Sequence, residues 1–224
     1  MKTVSIIIPA YKTQDYIEEC LLSIQNQTYF KNHDNYEILL GIDGDKELLN
    51  YMEKIKNKIS NLRIYFSPVN VGVYILRNSL VQKSKGEYLL FFDSDDILYN
   101  NVVKDILSLD NHEYVRFNYV KNTPGCGAFW ISNFLFNKIG GFQAWICNAD
   151  QEFRRRIKEN NIDYCVVNKE ETSMYRRSHK NQLTKNKDTG MNSKLRQGYR
   201  NWISNNTDWS IPIIPEVSYL ENKE

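Results

Sequence analysis

Through the first hundred residues, short unbroken apolar runs alternate with stretches of helical period. Residues 4–8 (VSIII), 37–42 (EILLGI), 62–66 (LRIYF) and 88–92 (YLLFF) are rich in β-branched or aromatic side chains and too short for helices, which predicts buried strands. Between the first two, Ile17, Leu21 and Ile24 repeat on one helical face behind an acidic first turn of Glu18 and Glu19, with Asp15 as the expected N-cap. Helical spacing recurs over 48–59 and 72–84. Strand–helix alternation with strands apolar on both faces predicts an α/β fold: a mostly parallel central sheet flanked by helices.

Beyond residue 110 the alternation loosens. The pattern predicts a strand over 113–120, a strand and a short helix within 128–136, a turn at Gly140-Gly141 and a helix over 151–159. Residues 177–193 are polar and poor in hydrophobes, which predicts a mobile loop. Trp202, Trp209, Ile211, Ile213 and Ile214 are expected to pack back onto the body.

Composition narrows the class. With 224 residues, 42% hydrophobic and 25% charged, the chain is neither disordered nor collagen-like. No apolar run approaches the roughly 18 residues of a membrane span, and the run at 4–8 stops at Pro9 without a signal-peptide cleavage pattern. Cys20, Cys126, Cys147 and Cys165 are scattered with no CxxC pair, which suits a reducing, cytoplasmic setting. The formal charge of +2 conceals an asymmetry. Residues 154–200 hold 13 Lys and Arg against 5 Asp and Glu, whereas the rest of the chain holds 16 against 22. Such separation is compatible with a polyanionic partner and equally with a solvated basic face.

Asp93, Ser94, Asp95 and Asp96 directly follow the last buried strand of the first half. Ligands of open α/β sheets bind outside the carboxyl ends of strands. Clustered carboxylates there call for a divalent cation, and Mg²⁺ or Mn²⁺ held by one or two of them shares its other positions with water and substrate phosphates. The plainer alternative is an acidic turn that caps the next helix.

The segments VSIIIPAY (4–11), SIQNQTY (23–29), Ile42-Asp43-Gly44 and NVGVYILRNSLVQKSKGEYLLFFDSDD (70–96) occur in an order and spacing that resembles a family 2 glycosyltransferase of the GT-A fold. The resemblance covers about residues 3 to 185. It implies a Rossmann-like half for the nucleotide sugar (1–110), an acceptor half (111–185), and a tail (186–224) packed on that domain. It further implies an inverting transferase that uses a nucleotide-diphospho-sugar, most often a UDP-sugar, and Mn²⁺ or Mg²⁺.

By position, the resemblance puts Pro9, Ala10 and Tyr11 in the nucleotide pocket and Asp43 on the uracil ring, with Ser94 also at the donor. Ile42 stands where the family often has a second acid, and Asp45 partly replaces that charge. Arg77 would either approach the diphosphate or brace the acidic loop. Asp93 and Asp95 match the metal-binding pair, and His179 matches a late histidine that completes the metal site or touches the diphosphate. Arg176, Arg177 and Lys180 suit phosphate as well. Asp150 matches the general base, with Glu152 as its fallback and Ala149 in place of the usual Glu; the alternative is a helix cap. Gly125-Cys126-Gly127 resembles a small-residue segment beside the donor sugar. Trp130, Trp145 and Asp96 are the acceptor-side candidates. The expected acceptor is a glycan. The alternatives are a hydroxylated base in DNA gripped by the basic segment, a non-catalytic nucleotide-sugar-binding module, and, on fold grounds, a nucleotidyltransferase.

Overall fold

Every residue of the strand Val4–Ala10 (β1) is buried, as an apolar run with a neighbour on each side requires. The computed structural model describes residues 2–109, 113–120, 123–167, 172–180, 182–205 and 221–223, without the side chains of 118–127 and 221–223. After β1 come α1 (Ile17–Gln25), β2 (Tyr36–Asp43), α2 (Lys46–Ile55), β3 (Leu62–Ser67), α3 (Val73–Lys83) and β4 (Tyr88–Phe91). The second part adds β5 (Ile97–Leu98), α4 (Val102–Leu107), β6 (Tyr114–Val120), β7 (Thr123–Ser132), α5 (Asn133–Ile139), α6 (Ala149–Glu159), β8 (Cys165–Val166), β9 (Met174–Tyr175), α7 (Lys194–Asn205) and β10 (Glu221–Lys223).

The main sheet has the order β10-β3-β2-β1-β4-β7-β6-β8. Strands β1 to β4 run parallel, with Ile7 opposite both Leu39 and Phe91. β7 enters antiparallel to β4 and to β6, and β10 lies antiparallel along β3. Alternate side chains build two cores. Ile6, Ile8, Ile38, Leu40 and Leu90 pack with Ile17, Leu21, Leu48 and Met52 of α1 and α2. Ile7, Leu39, Leu89 and Phe91 pack on the opposite side with Leu76, Leu80, Leu135 and Phe153 of α3, α5 and α6. At Gly41 a Cβ would stand 2.9 Å from Leu76, so the missing side chain lets α3 lie close on β2.

Several expectations need correction. Asp15 is exposed and does not cap α1; the carbonyl of Thr13 accepts from Tyr16 and Ile17 instead. The helix expected to reach residue 59 ends at Ile55 and tightens into a single turn over Lys56–Lys58. The stretch 177–193 is not an unanchored loop, since hydrogen-bonded turns at 183–193 fold it back on itself, with Met191 donating to the Thr184 carbonyl at 3.0 Å. Polar side chains, not apolar burial, hold it. Trp202 remains 38% exposed and meets Trp145 edge-on, with ring centroids 5.2 Å apart. Trp209, Ile211, Ile213 and Ile214 lie outside the described residues. No described helix is long and apolar enough to cross a membrane.

Candidate active site

β1, β2 and β4 end side by side, so the residues that follow them meet at one sheet edge. There they line a cleft of about 280 Å³. Pro9, Ala10, Tyr11 and Thr13 come from the end of β1, Asp43 from β2, and Asn70, Gly72 and Val73 from the approach to α3. Asp93, Ser94, Asp95 and Asp96 form the acidic wall after β4. The rest of the lining comes from late in the chain: Ile146, Arg176, His179 and the turn residues Gln182, Leu183, Thr184 and Asn186.

The acidic wall is pinned residue by residue. Arg77, only 2% exposed, donates from Nη2 to Asp93 Oδ1 at 2.6 Å, and its guanidinium lies 5.8 Å from the Phe91 ring and 5.9 Å from that of Phe142. Asp95 Oδ2 is 2.7 Å from His179 Nε2, and the His179 ring leans on Tyr16 with centroids 4.7 Å apart. Asp96 is buried and accepts the backbone N–H of Arg177 at 3.0 Å. Burial, then repulsion from Asp93 and Asp95, pushes its pKa up to about 8. Asp93 keeps 41% of its side chain open to the cleft, yet protein crowds it closely enough to raise its pKa against the pull of Arg77. No three His, Cys, Asp or Glu side chains among the described residues form a metal cage unaided. Carboxylates with one imidazole nevertheless suit Mg²⁺ or Mn²⁺ as a site left open to phosphate oxygens and water.

Asp43 is buried and accepts from Val71 N at 2.7 Å and Gly72 N at 3.0 Å, so it fixes the entry to α3. Burial raises its pKa, and these two N–H groups oppose the rise. The following Gly44 has φ +72, and a Cβ there would meet Asn70 N at 2.6 Å. Tyr11 is exposed at the cleft mouth, with the Lys12 ammonium 5.1 Å from its ring centre. Asp45 does not replace a binding charge. It caps α2 by accepting Leu48 N at 3.0 Å and holds the 12–14 loop through Lys12 N at 2.8 Å.

Asp150 sits in the first turn of α6, aimed by Asn148 in the left-handed conformation (φ 71) that Asn tolerates better than most residues. It is 8% exposed, stands just outside the cleft lining, and is close enough to Asp93 for their charges to repel. The Tyr74 hydroxyl donates to its Oδ1 at 2.7 Å.

Other candidates fall elsewhere. Glu152 is fully buried and paired with Arg156 at 2.6 and 2.7 Å, which removes it as a base. Trp130 is fully buried in β7 and stacks on Tyr88 at 5.1 Å, so it is core and not an acceptor platform. Trp145 is covered on one face by Tyr199 of α7 at 4.4 Å and 7°, which makes it a clamp for α7. Arg77 is not among the cleft-lining residues and braces the acidic loop through Asp93, as the second of its two expected roles has it. Asp96 lines the cleft, and its Oδ1 is taken by Arg177 N. Arg177 is engaged by Glu19 and by the Tyr16 ring, whereas Arg176 lines the cleft and Lys180 is exposed. Gly125-Cys126-Gly127 lie in β7, with side chains outside the described set. Sequence reading missed Thr13, Asn70, Ile146 and the 182–186 wall; only the Asn70 segment carried a signal, through its place in the 70–96 motif.

Residues 5–166 match the family described as Glycosyl transferase family 2. The chain belongs to this family. It is 33% identical over 115 residues to an uncharacterized glycosyltransferase of Haemophilus influenzae, covering 50% of this chain and 44% of that one. It is 39% identical over 97 residues to the poly(ribitol-phosphate) beta-glucosyltransferase of Bacillus spizizenii, covering 42% of this chain and 15% of that one. The chain thus spans less than half the length of these curated relatives. Among solved structures, Staphylococcus aureus TarS 1–349 in complex with UDP-GlcNAc superposes with a TM-score of 0.68 at 22% identity, over 80% of this chain and 60% of that one. The mannosyltransferase PcManGT of Pyrobaculum calidifontis, in complex with GDP-Man and Mn²⁺, also gives 0.68, at 15% identity over 94% and 66%. These likenesses establish the GT-A fold of the family member described here.

Proposed function

We propose that this chain transfers a sugar from a nucleotide-diphospho-sugar, a UDP-sugar by preference, to an acceptor hydroxyl with inversion at the anomeric carbon. One observation carries the reading: Tyr11, Asp43 and the Asp93–Asp96 wall converge on a single cleft with His179 and Arg176. The UDP-GlcNAc bound by TarS and the GDP-Man and Mn²⁺ bound by PcManGT support it.

In this reading Pro9, Ala10, Tyr11 and Asp43 receive the nucleotide, and Ser94 faces the donor. Asp95, Asp93 and His179 hold a divalent cation, Mn²⁺ or Mg²⁺, which when bound offsets charge on the departing nucleoside diphosphate. Arg77 fixes Asp93, and Arg176 adds positive charge beside the phosphates. Asp150 takes the acceptor's proton as the C–O bond forms, because a neutral hydroxyl is a poor nucleophile near pH 7. The sugar passes through an oxocarbenium-like state, and a single base with in-line attack inverts its configuration. The domain division at residues 110 and 185 follows the same reading, as does a cytoplasmic setting.

The acceptor is a glycan, and the exposed basic residues beside the cleft favour one that carries phosphate. A polymer of that kind is named for two relatives, the Bacillus spizizenii enzyme and the Staphylococcus aureus poly(ribitol-phosphate) beta-N-acetylglucosaminyltransferase TarS.

The deciding experiment is UDP release from UDP-glucose and UDP-GlcNAc with Mn²⁺, on wild type and Asp150→Asn. The variant should lose about 10²- to 10⁴-fold in turnover while binding UDP as wild type does. Full turnover in Asp150→Asn removes the base assignment, and wild type that binds donor without turning it over supports the binding-module reading.

A further inference from the structure

We infer that Tyr74 is the positioning residue for Asp150: its phenol holds Oδ1 so that Oδ2 alone is presented to the acceptor hydroxyl. The inference rests on Asp150 as the general base. Tyr74 is the second residue of α3 and is 8% exposed, with its ring against Phe142 at 5.4 Å. A phenylalanine would fill that slot equally well, so the hydroxyl is not there for packing. It spans 76 positions of sequence to reach Asp150 Oδ1 at 2.7 Å, joining the first turns of α3 and α6.

The direction of the bond follows from burial, which raises the phenol's pKa well above 10 and keeps the proton on oxygen. Tyr74 therefore donates, and the carboxylate accepts. A charge-assisted bond of this kind restricts the carboxylate to one orientation, and a base must lie within hydrogen-bond reach of the proton it removes. The charged groups around the pair are Arg77 on α3, Asp93 after β4, Arg154 on α6 and Arg196 on α7. Arg154 donates to the Asp150 carbonyl at 3.4 Å, and Arg196 reaches Asn148 Oδ1 at 3.5 Å. None of these side chains is bonded to the Asp150 carboxylate, which leaves its orientation to Tyr74 among the described residues.

The same helix end is fixed from the other side. Asp43 accepts Val71 N and Gly72 N, and Tyr74 follows two residues later. The donor pocket and the proposed base are therefore both tied to one α3 terminus, and proton transfer with in-line attack demands such close mutual placement.

The test is Tyr74→Phe, Asp150→Asn and the double variant in the full chain. UDP release is measured from whichever of UDP-glucose and UDP-GlcNAc wild type turns over, with Mn²⁺ and water as acceptor. We expect Tyr74→Phe to lower kcat about 10- to 100-fold, with KM and UDP affinity within about twofold of wild type. In the Asp150→Asn background the same change should lower kcat by less than about twofold, because the bond acts only through that carboxylate. Wild-type kcat in Tyr74→Phe, or an equal loss in both backgrounds, overturns the positioning role. Wild-type kcat in Asp150→Asn instead overturns the base itself and the inference with it.

Discussion

Asp96 lies under Asp93 and Asp95, buried, with the Arg177 N–H bonded to it. A carboxyl with a folded pKa near 8 and an ordinary unfolded value keeps its proton in the native state across the window between them. The native state then binds more protons than the unfolded one, so this group's stabilisation is complete below about pH 4 and is lost as pH rises towards 8. Metal-free protein in chelator should show a thermal midpoint that declines from pH 5 to 8 more steeply than that of Asp96→Asn, which keeps the Arg177 bond and cannot ionise. Parallel declines in the two proteins refute this account. Asp43, Asp45 and Asp150 carry the same side chain and do different things: one anchors α3, one caps α2, and one is held by a phenol. Local motifs singled out Asp43, Asp95 and Asp150 as candidates, but the partners of each come from 28 to 84 positions away. No spacing rule reads contacts of that length, and the Tyr74 bond is the clearest instance.

Among the elements, α6 shows a helix whose polar residues build structure. Glu152 and Arg156 are four apart on its buried face, and Arg156 also donates to the carbonyls of Ile139 and Gly141. The Gly140-Gly141 turn, with both residues at positive φ, is thus tied to the helix. Glu152→Ala leaves the Arg156 charge buried without its partner and should lower unfolding free energy by about 3–5 kcal/mol in denaturant titration. The UDP affinity of the folded fraction should not change, because Glu152 does not line the cleft; a stability loss below about 1 kcal/mol counts against the pair's importance. Elements with a strong period were legible: β1 to β4 and α3 lie where the apolar pattern puts them. The two-residue strands β5 and β9 were not, because two residues carry no period, and their pairing of Ile97 with Tyr175 depends on chain reversal far downstream. Trp130 shows the converse: its ring type suits a binding platform, but the strand that carries it is central, between β4 and β6, and buries it.

Across the whole molecule, charge is distributed by surface. The acidic wall after β4 faces the cleft, while Lys180, Lys185, Lys187 and Lys194 are exposed on and just after the late segment that completes its lining. If the acceptor is a phosphate polymer engaging about four phosphates, its affinity should fall roughly a hundredfold between 50 and 200 mM salt through counterion release. A fluorescence titration with ribitol-phosphate polymer, a neutral glycan and duplex DNA separates the readings. Salt-insensitive binding to the polymer refutes the phosphate contacts, and a preference for DNA transfers them to the other polyanion. The amino-acid order by itself determined strands β1 to β4, the strand ends at which the cleft lies and the acids that line it, because period and the strand-end rule are local. It left open that Asp45 caps α2, that Arg77 braces Asp93, and that a late polar stretch lines the cleft. Those were decided by tertiary structure alone, since burial and partner choice are properties of residues brought together from distant parts of the chain.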